Sequence, residues 1–212
     1  MKITLIDAGK RFNRDWIFRH LNYEFQTGHT YAITGPNGSG KSTLLQSIAG
    51  AMAISEGNIL YETGPSSRRP HGAPVPPEQA YQHLSLAAPY LQLVEEMTVT
   101  EFLHFHAAFK PLLPGISAAG IIRKVGLETA AHKQMRYYSS GMKQRVRLAQ
   151  ALFSDSTLVL LDEPCTNLDT EGIGLYRELI SQYTPGRLVI VSSNDIQEYE
   201  FCEERIDIRN YR

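Results

Sequence analysis

The chain has 212 residues, of which 42% are hydrophobic, and its 21 Lys and Arg against 22 Asp and Glu leave a formal net charge of −1. These proportions exclude a disordered, collagen-like or coiled-coil chain, and the near-neutral balance gives no basic footprint for DNA or RNA. No apolar run approaches the ~20 residues needed to cross a bilayer, no secretory segment is expected at the start, and Cys165 and Cys202 alone make neither a disulfide framework nor a metal cluster, so a reducing, cytoplasmic setting is expected.

The stretch Ile3–Phe25 mixes β-branched and aromatic residues with short polar gaps and predicts an antiparallel edge or small subsheet. Tyr31–Thr34 (YAIT) is the first of three nearly continuous apolar runs of strand length; Leu158–Leu161 (LVLL) and Leu188–Val191 (LVIV) follow. Such runs predict strands covered on both faces, as in a parallel sheet between helices, and so an α/β chain. Each run leads straight into a polar loop (GPNGSGKST, DEPCTNLD, SSND), and open α/β sheets gather ligands at the carboxyl ends of their strands.

After the first of these loops comes an apolar helix pattern, Leu44, Leu45, Ile48 and Ala49. The proline- and glycine-rich stretch Thr63–Pro77 predicts an exposed loop. From about Pro89 to Gly141 the chain reads as helical. Thr98-Val99-Thr100-Glu101 forms a capping box, with Met97 and Phe102 placed as a hydrophobic staple. That helix runs through Phe105 and Phe109 and stops before Pro111. A second is predicted from after Ser117 to Val125, with Gly126 as its stop. A further helix begins near Gly141; Val146, Ala149 and Phe153 give it an apolar face, while Lys143, Arg145 and Arg147 are predicted to form a solvated face. His104 and His106 lie two apart, face different ways and make no metal pair. The Tyr137-Tyr138 pair is expected to pack, not to stack on bases.

Gly35-Pro36-Asn37-Gly38-Ser39-Gly40-Lys41-Ser42 matches the phosphate-binding P-loop, between the strand and helix that motif requires. Glycines let backbone N–H groups turn inward on phosphate oxygens, and the helix N-terminus adds the positive end of its dipole. Lys41 can reach the β- and γ-phosphates, and Ser42 can ligate Mg²⁺. The strand Leu158–Leu161 ends on Asp162, which can hold Mg²⁺ through water, and Glu163, which can polarise an attacking water.

Tyr138-Ser139-Ser140-Gly141-Met142-Lys143-Gln144-Arg145 resembles the signature motif of ABC-type ATPases. The order P-loop, helical lobe, signature, acidic strand, Asn167-Leu168-Asp169, final strand also resembles them over nearly the whole chain, and YSSGMKQR looks most like the version found in ABC-2-type exporters. The resemblance implies a P-loop NTPase fold: a RecA-like parallel core (about 1–88 and 146–212), an N-terminal antiparallel β subdomain and an inserted helical lobe (about 89–145). It implies that 35–43, including Thr43, bind the triphosphate, and that Phe12 stacks on adenine, with Trp16 and Phe18 as competitors. Ser139, Ser140 and Gly141 would meet ATP held by a partner subunit, and Asp169 would belong to the loop linking the two sites. Cys165, beside that loop, is expected to be small and unreactive.

Three departures from the family pattern stand out. Ser140 and Met142 replace glycine and glutamine in the signature. Ala88 or Pro89 falls where a glutamine contacts Mg²⁺ and water. Asn194 stands in place of the switch histidine; it can donate a hydrogen bond to the γ-phosphate but carries no charge, which implies slower hydrolysis with ATP binding kept. The expected function is the ATP- and Mg²⁺-dependent ATPase subunit of a transporter, with export as the expected direction, a separately encoded transmembrane permease, a homodimer or paired ATPase subunit, no nucleic acid, and a peripheral place on the inner face of the membrane. The alternative is an ATP-dependent regulatory or binding module with little hydrolysis; the retained Glu163 argues against it.

Overall fold

The computed structural model describes residues 1–64 and 72–212. In chain order the elements are β1 (Lys2–Phe12), β2 (Asp15–Gln26), β3 (Thr30–Thr34), α1 (Lys41–Ile48), β4 (Glu56–Glu62), β5 (Pro74–Val75), β6 (Leu84–Ala87), α2 (Val99–Phe109), α3 (Ala118–Lys124), α4 (Ser140–Leu152), β7 (Leu158–Asp162), α5 (Thr170–Tyr183), β8 (Leu188–Ser192), α6 (Ile196–Tyr199) and β9 (Glu204–Asp207). They form two sheets. One is antiparallel, in the order β2-β1-β4-β5; the other is wholly parallel, in the order β6-β7-β8-β3-β9.

The three apolar runs become β3, β7 and β8, the middle of the parallel sheet, and their side chains alternate between two cores. Ala32, Val159, Leu161, Val189 and Val191 point to one cluster, shared with α2, α3, α4 and α5. Tyr31, Ile33, Leu158, Leu160, Leu188 and Ile190 point to the other, shared with α1 and with Ile3, Leu5, Phe18, Leu21 and Phe25 of the antiparallel sheet. Helix α1 therefore lies between two sheets. Burial of each such side chain contributes about 1.5–3 kcal/mol, so the loop that opens α1 rests on a heavily anchored element.

The sequence does not announce β6 or β9, each only four residues long. Residues 88–97 are not helical, contrary to expectation. The two Ala88–Pro89 backbone positions lead out of β6 into turns, Leu91 N–H donating to the Ala88 carbonyl at 3.1 Å and Met97 N–H to the Val94 carbonyl at 3.1 Å. Helix α2 begins on the full capping box, with Glu101 N–H donating to Thr98 Oγ1 and the Glu101 carboxylate accepting from Thr98 N–H. It ends at Phe109, and α3 is capped by Ser117. Of the expected loop Thr63–Pro77, residues 65–71 lie outside the described part; Pro74–Val75 instead pair with β4.

The reading of Lys143, Arg145 and Arg147 as a solvated face is overturned. All three are partly buried. Lys143 Nζ meets Glu95 Oε1 at 2.6 Å, Arg145 donates to the Val125 carbonyl at 3.4 Å, and Arg147 Nε donates to the Leu91 carbonyl at 2.9 Å. Helix α4 is covered on that side by the irregular segments 88–97 and 125–127, which sequence periodicity does not reveal. Tyr138 packs as expected and its hydroxyl donates to the Ala130 carbonyl, but Tyr137 is 62% exposed.

Candidate active site

The carboxyl edge of the parallel sheet collects the three expected loops. Strand β3 runs into Gly35–Gly40 and then α1. Gly40 takes φ +103, and a Cβ there would stand 2.2 Å from Ile17 Cγ2, so both backbone shape and the close approach of β2 demand glycine. Lys41 is buried, and its ammonium donates to the Gly35 and Pro36 carbonyls at 3.0 and 3.2 Å. Its positive charge is thereby held under the loop it opens from. Ile17, Asn37, Gly38, Gly40, Lys41, Ser42, Thr43 and Glu163 line one cavity of ≈ 210 Å³. Ile17 is a member that sequence reasoning missed; one isoleucine in an apolar strand carries no signal of its own.

Strand β7, separated from β3 by β8, ends on Asp162. This carboxylate is 1% exposed, and neither oxygen has a hydrogen-bond partner. Burial pushes its pKa up; the Ser192 and Ser42 hydroxyls stand nearby and favour the charged form, but neither closes a bond to it. A buried, unpartnered carboxylate beside a serine hydroxyl suits a divalent cation, so the residues fit Mg²⁺. Because the folded pKa is raised, the stability Asp162 permits is full below the ordinary carboxylate range and is lost as pH rises through the folded value. Asp162→Asn is expected to raise the melting temperature of the metal-free chain at neutral pH, with the gap narrowing as pH falls; calorimetry against pH checks it.

Glu163 follows at φ +43, a left-handed conformation unusual for a side-chain-bearing residue, and its N–H donates to the Ser192 carbonyl at 2.9 Å. Glu163 lines the same cavity as Lys41 and Ser42. Beyond β8, Asn194 lines a second cavity of ≈ 380 Å³ with Thr34, Gly35, Pro36, Tyr199, Asp207 and Arg209. It therefore sits beside the start of the P-loop, where the order of the motifs placed it. Tyr90, just past the expected glutamine position, is 45% exposed and stands by Asp162 and Gln46; the buried part of its ring and that carboxylate push its phenol up to about 12. Glu198, also unforeseen, is 4% exposed, with Oε1 accepting from Cys165 N–H at 2.7 Å and Oε2 unpartnered.

The remaining expected residues lie elsewhere. Ser139 caps α4, accepting from Met142 N–H at 3.2 Å, and both Ser139 and Ser140 are exposed. A Cβ on Gly141 would stand 3.0 Å from the Asn167 carbonyl, so the start of α4 packs tightly on the loop after β7. Asp169 caps α5, accepting from Gly172 N–H at 2.8 Å. None of Ser139, Ser140, Gly141 and Asp169 lines either cavity at the P-loop. Phe12 is 46% exposed, with Lys10 Nζ 5.0 Å above its ring, and it too lies outside the cavity lining. Of its competitors, Phe18 is in the core and Trp16 lies under Arg11 and Arg19. Cys165 and Cys202 are both buried, and burial pushes each thiol up to about 12.

A strand, glycine loop and helix holding a buried lysine, with an acidic strand end one strand removed, define a P-loop nucleoside triphosphatase. The profile of a family described as ABC transporter matches residues 18–166. The lantibiotic transport ATP-binding protein SrtF of Streptococcus pyogenes is 30% identical over 201 residues, covering 93% of this chain and 82% of that protein. Among solved structures, a putative ABC transporter ATP-binding protein from Pyrococcus furiosus shares the fold with a TM-score of 0.80 at 20% identity, covering 100% of this chain and 99% of that one. The bacterial cassette MJ0796, solved as a dimer, gives 0.79 at 21% identity, covering 97% and 94%. The chain belongs to the ABC transporter family and is one of its ATP-binding subunits.

Proposed function

We propose that this chain hydrolyses ATP to drive export through a membrane-spanning permease carried on another chain. The observation that carries the reading is one cavity shared by Lys41, Ser42 and Glu163, with the unpartnered Asp162 at the adjoining strand end. Among the described residues no helix is long and apolar enough to cross a membrane, which suits a subunit that works from the inner face of a membrane beside such a permease. The lantibiotic-transport relative supports the transport class, and a relative named as a cytochrome c biogenesis export protein, 28% identical, supports the direction.

In this reading the amides of 35–43 and the Lys41 ammonium bind the β- and γ-phosphates, and Ser42 and Asp162 hold Mg²⁺. When bound, the cation screens charge on the phosphate oxygens. Glu163 orients a water for in-line attack and accepts its proton. Asn194 donates a hydrogen bond to the γ-phosphate. Phe12 offers an exposed face for adenine. Ser139, Ser140 and Gly141 stand at the N-terminus of the 13-residue helix α4 and bind the γ-phosphate of ATP on a second subunit, with Asp169 at the same interface. Their exposure, and their absence from the P-loop cavities, support a two-subunit arrangement, as does the dimer formed by MJ0796. The chain is then one ATPase unit, core 1–88 and 146–212, with 89–145 as the lobe facing the permease.

Mg²⁺-dependent phosphate release from ATP by the purified chain tests this; no release, alone or with the permease co-expressed, would sink it. The uncharged Asn194 favours a second reading, an ATP-binding module with little hydrolysis, and one variant separates the two. Asn194→His is expected to raise turnover by about tenfold, the rate equivalent of ~1.4 kcal/mol from a charge-assisted hydrogen bond. Measured turnover that does not rise favours the binding module.

A further inference from the structure

Helix α4 is tied to two segments that leave neighbouring strands of the parallel sheet: the irregular stretch 88–97 after β6, and the loop 163–169 after β7. Gln144 is completely buried in α4, and both ends of its amide are engaged. Its Nε2 donates to the Pro164 carbonyl at 2.8 Å, while its Oε1 accepts from Arg147 NH1 at 3.4 Å. Arg147 then donates from Nε to the Leu91 carbonyl at 2.9 Å. One turn earlier on the same face, Lys143 meets Glu95 at 2.6 Å, a second pin on the same stretch. The far side of loop 163–169 is held as well, by Glu198 on the N–H of Cys165 at 2.7 Å.

The partners are backbone carbonyls. A side-chain hydrogen bond to a carbonyl fixes the position of the chain itself, and a planar guanidinium that donates from two nitrogens holds its two acceptors at a set separation. Leu91 and Pro164 are thus connected through two side chains in series, each with defined donor and acceptor. Stretch 88–97 also exposes Tyr90 and Val94 at the surface. A shift of the Pro164 carbonyl has a direct mechanical route to this surface.

We infer that Arg147, through Gln144, is a positioning residue that makes the surface stretch 88–97 follow the loop 163–169 when ATP binds. The inference rests on the proposed ATP site. It assigns Arg147 no contact with ATP, so its loss leaves nucleotide binding unchanged. Lysine in its place can reach Leu91 with one donor but lacks the fork that also reaches Gln144.

The test is hydrogen–deuterium exchange, read by mass spectrometry on the full chain carrying Glu163→Gln to retain ATP, with and without Mg²⁺ and ATP. ATP is expected to slow exchange by about tenfold in both 163–169 and 88–97, an ordinary coupling between sites. With Arg147→Ala, and equally with Arg147→Lys, the response in 163–169 persists and that in 88–97 disappears. A merely structural role for Arg147 changes exchange in 88–97 equally with and without ATP, so the ratio is the readout. A response in 88–97 that survives both substitutions overturns the inference, as does a parent chain in which only 163–169 responds. Failure of ATP to bind at all strikes instead at the proposed function.

Discussion

Glu163→Gln is expected to lower the rate of ATP hydrolysis by about a hundredfold to a thousandfold, within the range a positioned general base contributes. The substitution keeps the volume of the side chain and its hydrogen-bonding reach but removes the basic oxygen that takes the proton from water. The backbone sets the direction: φ +43 and the N–H bond to the Ser192 carbonyl at 2.9 Å hold this residue in a conformation that its own side chain does not favour. The amide therefore occupies the place of the carboxylate. ATP binding is expected to persist, because the proposed grip belongs to residues 35–43 and Lys41. Phosphate release and equilibrium binding of labelled ATP, measured on one preparation, separate the two quantities. A Glu163→Gln chain that still hydrolyses at the parent rate would remove Glu163 from the chemistry.

The second large effect lies at the opposite edge of the sheet. Arg187 is 8% exposed and donates to the Ser156 carbonyl at 2.7 Å, the Leu152 carbonyl at 2.8 Å, the Tyr183 carbonyl at 3.2 Å, the Ser154 carbonyl at 3.0 Å and Ser156 Oγ at 2.5 Å. Burial pushes its pKa down to about 10. Its acceptors come from the end of α4, the turn into β7 and the end of α5, so one side chain fastens three elements before β8 begins. Arg187→Met keeps most of the bulk and leaves these acceptors without their donor. The expected loss is about 3–5 kcal/mol, and a melting temperature lower by roughly 10 °C. Urea unfolding measures the first and calorimetry the second. Since the P-loop lies at the other end of β3, ATP affinity measured well below the melting point is expected to stay at the parent value.

The parts of the fold that the sequence makes legible are those with a local cause. β3, β7 and β8 are apolar blocks because both faces of the sheet are covered, and the start of α2 is written in Thr98 and Glu101. β6 and β9 escape notice because a four-residue strand, such as Glu204–Asp207, owes its existence to the neighbour it pairs with. The site divides in the same way. The glycine loop, Lys41, Ser42, Asp162, Glu163 and Asn194 lie at or just past the ends of β3, β7 and β8, the strands legible as apolar runs. Ile17, Tyr90 and Glu198 reach the site region through long-range contacts with no periodic or motif signature. The charges of α4 fail for a related reason: Lys143 and Arg147 look solvated on a helix drawn alone, and only the path of 88–97 covers them.

The two cysteines have a practical consequence for watching this chain at work. Both thiols are buried, and burial pushes each up to about 12, so the reactive thiolate is scarce at neutral pH. The parent chain is thus close to silent toward maleimides and other sulfhydryl reagents while folded. A single cysteine introduced at an exposed position such as Tyr137 could carry a fluorophore or spin label with almost no background, and without first stripping out the native residues. Accelerated modification of Cys165 would in turn report that the loop beside it had opened.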